Sequence, residues 1–331
     1  MKCLLIKMCL CLTVLGLLVA PVFAQQQPEK QYIFKLGSTG GVGGVEAALG
    51  DEIKQAVEFI SMDRVKVDYH PASQLGSAEE MLNGVMTGDI QGLLEEVTVF
   101  EEACPSLKVF GMPYIVTDPL IVRKVINGPL GQKFSEEMIK RSGMRILGIA
   151  IKEPRQLTTK KPIKSLADLK GLKIRVMNVP SSVDLWKSLG TNPTPMAFSE
   201  VYTSLATNVI EAQENPVDVI ADNKLYEVQK FVTETGHIQA NSMVVVNNKW
   251  FTSLPPDLQK AVKDGVDIAT EFNTRIHMIR GQATRAFLRE KGMTVSKIDV
   301  KPFMAASQGV HKAYVGKFFS QELYDQIHNM K

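Results

Sequence analysis

Two rhythms of apolar and polar positions run along this chain. Tyr32-Ile33-Phe34-Lys35-Leu36 reads as a strand, and Val65-Lys66-Val67-Asp68-Tyr69 alternates with a strand's period of two. Between them Leu49, Ile53, Val57 and Ile60 recur at steps of four and three, which predicts a helix over Val45–Ile60. A glycine-rich turn, 37–44, leads into that helix. Residues 79–87 predict a short helix and 90–94 a third strand. The stretch 107–115 is mostly apolar, with Pro113 ending any regular element, and 120–141 predicts two helices split near Gly128-Pro129. An apolar strand follows at 144–151. This βα rhythm implies α/β sheets, with ligand contacts in the loops at strand ends.

At 158–170 the composition turns basic and polar, and a second βα series begins at 172–176. A first crossing between two domains therefore falls near 151–154. A second is expected near Asn241, ahead of the apolar strand 243–246. From Pro256 to Lys291 there is no internal proline. Apolar or small residues recur there at Leu258, Val262, Gly265, Ile268, Phe272, Ile276, Ile279, Ala283 and Phe287, always three or four apart. One helix of more than thirty residues is expected, about 50 Å long at 1.5 Å per residue. Such a helix suits a strut shared by both domains. Charges do not flank a sustained coiled-coil seam.

The first residues change the bulk picture. Lys2 and Lys7 precede an apolar run over 8–20, and Val22-Phe23-Ala24 fits a signal-peptidase site before Gln25. The run is short of the ~20 residues that span a bilayer. A leader over 1–24, cleaved near Ala24/Gln25, is expected, with the mature protein in the periplasm. Cleavage removes Cys3, Cys9 and Cys11 and leaves Cys104 alone, so no internal disulfide is expected. Without Lys2 and Lys7 the net charge falls from +3 to +1. That balance argues against a nucleic-acid or membrane-surface partner. The remaining length suits two domains with sizeable cores.

Catalytic signatures are missing. His70, His237, His277, His311 and His328 are scattered, and neither HExxH nor GxSxG occurs. Cys104 reads as structural. The loop 37–44 lies where a dinucleotide fingerprint would, but Glu46 replaces its third glycine and would oppose a pyrophosphate. Close approach of the backbone to a small solute and plain turn flexibility are both open for this loop. No cofactor or metal is expected.

An ordered set of segments then carries a resemblance. It comprises Arg155-Gln-Leu-Thr-Thr159, Asp168-Leu-Lys-Gly-Leu-Lys-Ile-Arg-Val176, Asn192-Pro-Thr-Pro-Met-Ala-Phe-Ser-Glu-Val-Tyr202 and Ala212-Gln-Glu-Asn-Pro216. Pro71-x-Ser-Gln-Leu-Gly76, Met112-Pro-Tyr114 and Tyr226-Glu-Val-Gln-Lys-Phe231 extend it over nearly the whole mature chain. The chain resembles the solute-binding proteins of tripartite ATP-independent periplasmic (TRAP) transporters. The resemblance implies a two-lobe periplasmic binding protein fold with a central ligand cleft and one long helix shared by both lobes. It implies lobe I over 25–152 plus 241–279, lobe II over 153–240 plus 280–331, and hinge strands near 151–154 and 239–242. It also implies lobes that close on an organic acid and then dock on a membrane permease; a monomer is expected.

By the same resemblance Arg175 pairs with the ligand carboxylate, Arg155 lies near the same group, Asn215 supplies an amide and Phe198 an apolar contact. Thr39, and Gln74 or Ser77, match first-lobe positions. A surface ion pair is the plainer reading of Arg175, but Ile174, Val176 and Met177 around it favour burial, and a buried arginine needs an anion. Glu95 and Glu96 follow a strand at its cleft end, and adjacent extended residues point to opposite sides, so one of them is expected in the cleft. A carboxylate there favours a monocarboxylate with hydroxyl or amino groups over a dicarboxylate; a solvated loop pair is the alternative. The other functions consistent with the pattern are an exported α/β enzyme acting on organic acids and the sensing subunit of a receptor pathway.

Overall fold

The computed structural model describes residues 30–116 and 118–330, so the expected leader lies outside it. In the first lobe β1 (Tyr32–Ser38), α1 (Val45–Ile60), β2 (Val65–His70), α2 (Ala78–Thr87) and β3 (Gly92–Glu95) follow one another. Next come α3 (Pro119–Ile126), α4 (Pro129–Ser142) and β4 (Met144–Ile151). Pro119 and Pro129 occupy first helical positions, where a missing N–H costs nothing, and Gly143 ends α4 at φ 70°. The chain crosses to β5 (Gln156–Thr159), β6 (Lys173–Val176), α5 (Pro180–Ser188), β7 (Asn192–Pro195), α6 (Val201–Ala206), β8 (Ala212–Asn215), α7 (Val217–Asp222) and β9 (Phe231–Glu234). It returns as β10 (Asn241–Asn247) and α8 (Asn248–Ser253). Last come α9 (Pro256–Glu290), β11 (Thr294–Lys297), α10 (Lys301–Tyr314) and α11 (Gln321–His328).

The strands form two sheets, ordered β2-β1-β3-β10-β4 and β11-β9-β5-β8-β6-β7. In the first, β1 runs parallel to β2 and β3, while β10 is antiparallel to β3 and β4. Each sheet has an apolar cluster on both faces, as an α/β layer architecture requires. The crossing segments run side by side: Lys152 N donates to Ala240 O at 3.0 Å and Arg155 N to Ile238 O at 2.9 Å.

Helix α9 has 35 residues and packs on α1 and β4 of one lobe and on α7 and β11 of the other. Its contact with α1 is close. A Cβ added at Gly265 would lie 2.9 Å from the Val57 nitrogen, so only glycine fits there. The apolar stripe that predicted this helix is its buried face only over the first turns, at Leu258, Val262 and Gly265. Ile268, Phe272 and Ile279 are more than half exposed. Thr270, Asn273, Thr274, His277, Gly281 and Thr284 are buried instead. Small and polar side chains let the helix approach both lobes, which a row of large apolar ones would prevent.

Two further expectations change. Residues 158–170 read as a polar connection, yet Gln156–Thr159 is strand β5, bonded to β8 and β9 at the centre of the second sheet. Its polar side chains find partners there, as Gln213 Nε2 donates to Thr158 Oγ1 at 2.9 Å. The segment 280–331, assigned to the second lobe, divides. Phe303 joins that lobe's core, whereas Val310, Tyr314 and Ile327 join the first lobe's. An amphipathic tail can dock on either lobe, and its sequence does not say which.

Candidate functional site

The strand ends of both lobes converge on a cavity of about 460 Å³. The first lobe contributes residues at or beyond the C-terminal ends of β1 and β3, and the second lobe those of β6 and β8. In open α/β sheets this edge faces the ligand. Thr39, Ser77, Glu95, Glu96, Arg155, Arg175, Phe198 and Asn215 all line the cavity. Gln74 does not. It follows Ala72 and Ser73, whose positive φ values turn the chain, and its side chain is exposed. Ser77 lines the cavity as the N-cap of α2, where its hydroxyl accepts from Glu80 N at 3.3 Å and Glu80 reaches back to its own nitrogen.

Arg175, on β6, is 3 % exposed. Its Nε and one terminal nitrogen donate to the Met196 carbonyl at 3.0 and 2.8 Å, the guanidinium's only hydrogen bonds among the described residues. No carboxylate pairs with it among the described residues. Its guanidinium carbon lies 5.7 Å from the Phe198 ring centre. Burial lowers its pKa to about 10, with Glu214 opposing, so the guanidinium stays charged at neutral pH. A buried cation at a cavity wall with no carboxylate paired to it has the chemistry to take up an anion.

Arg155 is equally buried but paired with carboxylates. Its Nε donates to Glu214 Oε2 at 2.5 Å, and one terminal nitrogen donates to Glu214 Oε1 and Asn215 Oδ1, both at 3.0 Å. The other reaches Glu96 Oε2 at 3.4 Å. Burial pushes the Glu214 carboxyl up, but Arg155 and His237 outweigh it and hold the pKa at about 2. Asn215 turns its oxygen to Arg155 and its nitrogen to Gln213 Oε1 at 2.6 Å. Arg155 thus ties Glu214, Asn215 and Glu96 together.

Both Glu95 and Glu96 line the cavity, against the expectation of one. Strand β3 ends at Glu95 and a 3-10 turn starts at Val97, so the strand's alternation no longer applies. Glu95 Oε1 accepts from Thr39 N at 2.8 Å, and Glu96 Oε1 from Asn241 N at 3.1 Å. Burial raises both pKa values to about 7.

Two charged residues of this wall escaped the sequence reading. Lys152 is buried at the crossing, 3.2 Å from Glu46, and both line the cavity. Burial works against its ammonium, but Glu46, Glu96, Asp218 and Glu95 more than offset it and raise the pKa. A lysine directly after the apolar Gly148-Ile-Ala-Ile151 run was the available signal.

The lobes also touch at the cavity's rim, where Asn178 Nδ2 donates to Glu79 Oε2 at 3.0 Å. Behind it the glycine-rich loop meets protein. Added Cβ atoms at Gly41 and Gly44 would lie 2.7 and 2.9 Å from the Asn223 and Asp222 side chains. Asp222 Oδ2 accepts from Val45 N at 2.9 Å. Among the described residues no group of three potential metal ligands occurs, and no helix is long and apolar enough to cross a membrane. Cys104 is buried and its thiol is raised to about 12, so it stays protonated.

Two α/β lobes around a charged cavity, bridged by two crossing segments and a shared helix, define a two-lobe solute-binding protein. The sequence profile of the bacterial extracellular solute-binding protein family 7 matches residues 45–317. A solute-binding protein of Roseobacter denitrificans is 33 % identical over 258 residues, 77 % of this chain and 78 % of that one. The crystal structure of a TRAP periplasmic solute-binding protein of the same name and species, with bound L-galactonate, superposes with a TM-score of 0.84 at 29 % identity. That superposition covers 90 % of this chain and 98 % of that one. The sialic acid-binding periplasmic protein of Vibrio cholerae is 30 % identical over 280 residues, 85 % of this chain and 87 % of its own. A TRAP periplasmic solute-binding protein of Ochrobacterium anthropi with bound L-fuconate gives a TM-score of 0.85 at 27 % identity, covering 90 % and 98 %. The chain belongs to this family: it is a TRAP-type solute-binding protein and not an enzyme.

Proposed function

We propose that this chain captures a monocarboxylic acid rich in hydroxyl groups, of the sugar-acid class, outside the cytoplasmic membrane and hands it to a TRAP permease. The observation that carries the proposal is Arg175, a buried guanidinium whose only hydrogen-bond partner among the described residues is one backbone carbonyl. A ligand carboxylate supplies the missing counter-ion. Opposite it, Glu46, Glu95, Glu96 and Lys152 make a wall that accepts from and donates to hydroxyls, while its carboxylates repel a second ligand carboxylate. The relatives that bind L-galactonate and L-fuconate support this class. The leader over 1–24 brings the chain to the periplasm, and the monomer closes about the paired segments near 151–154 and 239–242.

The test is a melting screen of the purified mature protein against hexonates, hexuronates, sialic acid, 2-oxo acids and succinate. A ligand at 100 times its Kd adds about 2.7 kcal/mol. Hydroxylated monocarboxylates should give the largest shifts. Succinate as the tightest ligand would overturn the sugar-acid assignment and leave that of Arg175 standing. Purification of the chain with residues 1–24 retained in the exported fraction would overturn the leader.

A further inference from the structure

A second space adjoins the cavity. It is a furrow of about 450 Å³ that borders the inner cavity at Thr39 and Phe198, which line both. The first lobe walls it with Gly41, Ala72 and Ser73, and the second with Ser199, Tyr202, Asn223 and Lys224 among others. None of the groups assigned to carboxylate or hydroxyl capture, apart from the shared Thr39 and Phe198, reaches it.

Its walls differ from those of the inner cavity. The inner walls hold buried charges, whereas here the polar groups are hydroxyls, an amide and exposed side chains. Lys224 is exposed, Asp222 is held by Val45 N, and Glu227 accepts from the Tyr202 hydroxyl at 2.5 Å. No cation is buried here as Arg175 is, so nothing calls for a second anion. Tyr202 remains 39 % exposed, an aromatic surface oriented by its bond to Glu227. An aromatic face beside hydroxyl and amide groups suits a neutral sugar ring, which offers C–H edges to the ring and O–H groups to the polar atoms.

The backbone here is also unusual. Of the seven non-glycine residues with positive φ among the described residues, three line this furrow: Ala72 at 54°, Ser73 at 60° and Lys224 at 54°. Ala72 N donates to Gly40 O at 2.8 Å and Ser73 N to Ser38 O at 3.0 Å, so the strained turn is fastened to the end of β1. Strain of this kind collects at ligand sites.

We propose that the furrow is an outer subsite for a neutral sugar ring, so that the protein accepts sugar acids bearing a glycosyl substituent. The acid end lies at Arg175, the chain passes between Thr39 and Phe198, and the ring rests on Tyr202. The outer subsite presupposes the carboxylate role of Arg175.

Calorimetry with lactobionate and cellobionate, gluconates that carry one neutral ring, tests this against gluconate itself. Both should bind at least as tightly as gluconate. Tyr202→Ala should weaken them about tenfold while leaving gluconate unchanged. Ser199→Trp, at an exposed position, should fill the furrow and have the same selective effect, which guards against misfolding of either variant. Absence of binding by both bionates overturns the proposal whatever gluconate does. So does bionate binding that neither variant alters, or a loss shared equally with gluconate. Acid binding that survives Arg175→Ala overturns the carboxylate assignment instead.

Discussion

Arg155 and Arg175, on the second-lobe wall, are each 3 % exposed, but one is enclosed by carboxylates and the other by a single carbonyl. The first-lobe wall is different again: three carboxylates share one lysine. Arg155 with Glu214 is a closed ion pair, further engaged by Asn215 and Glu96. Arg175 is an open half of such a pair. On the first lobe, Glu46, Glu95, Glu96 and Lys152 line the cavity, with Lys152 paired to Glu46 at 3.2 Å. Burial alone therefore does not distinguish a binding charge from a bracing one. What distinguishes them is whether the protein itself supplies the partner.

The sharpest way to break the contrast is Arg175→Ala. It should remove about 3–5 kcal/mol of binding, because the ligand carboxylate would then be desolvated and unpaired. Arg175→Lys should restore little, since an ammonium does not reproduce the two-pronged grip. Calorimetry that finds Arg175→Ala within a few-fold of the parent would make the assignment wrong.

The complementary change is Glu214→Gln. Here the expected loss is in folding, about 3 kcal/mol, since Arg155 would be left buried without its main counter-ion. Denaturant unfolding measures it. The contrast sharpens if Arg175→Ala leaves the unfolding midpoint of the ligand-free protein unchanged or raised.

A smaller effect concerns pH. Glu95 and Glu96 have folded pKa values of about 7, above the ordinary 4.5. A carboxyl raised by folding contributes stability below its unfolded pKa and loses it as pH rises through the folded value. Their share of stability should therefore fall between about pH 4.5 and 7. Glu214, held at about 2, contributes in the opposite sense: its share is present above 4.5 and lost as pH falls towards 2. Melting curves of Glu95→Gln should rise relative to the parent from pH 5 to pH 8. A difference that stays constant over that range would show that Glu95 does not titrate there.

The smallest expected effect is Gln74→Ala, within about 0.5 kcal/mol for both folding and ligand binding, because its exposed side chain lies outside the cavity. A tenfold loss of affinity would put Gln74 back into the site.

The sequence by itself determined the local elements whose apolar pattern and punctuation agree, such as α1, the α3–α4 pair and the 35 residues of α9. It also marked Arg175, because a charged residue among apolar neighbours is a local anomaly that needs no fold to notice. Tertiary structure decided the rest. That both Glu95 and Glu96 line the cavity follows from where β3 stops, which alternation does not foresee. That Arg155 braces Glu214 follows from the pairing of β5 with β8, two segments far apart in the chain. Lys152 and Glu46 meet only because a crossing segment passes the start of α1. The apolar stripe of α9 marks its buried face at Leu258, Val262 and Gly265, but further along the buried positions are mostly small or polar, and Ile268, Phe272 and Ile279 are exposed. Periodicity is a property of neighbours along the chain. The partner of a buried charge is set by strand order and by the meeting of two lobes, and neither is written in any one segment.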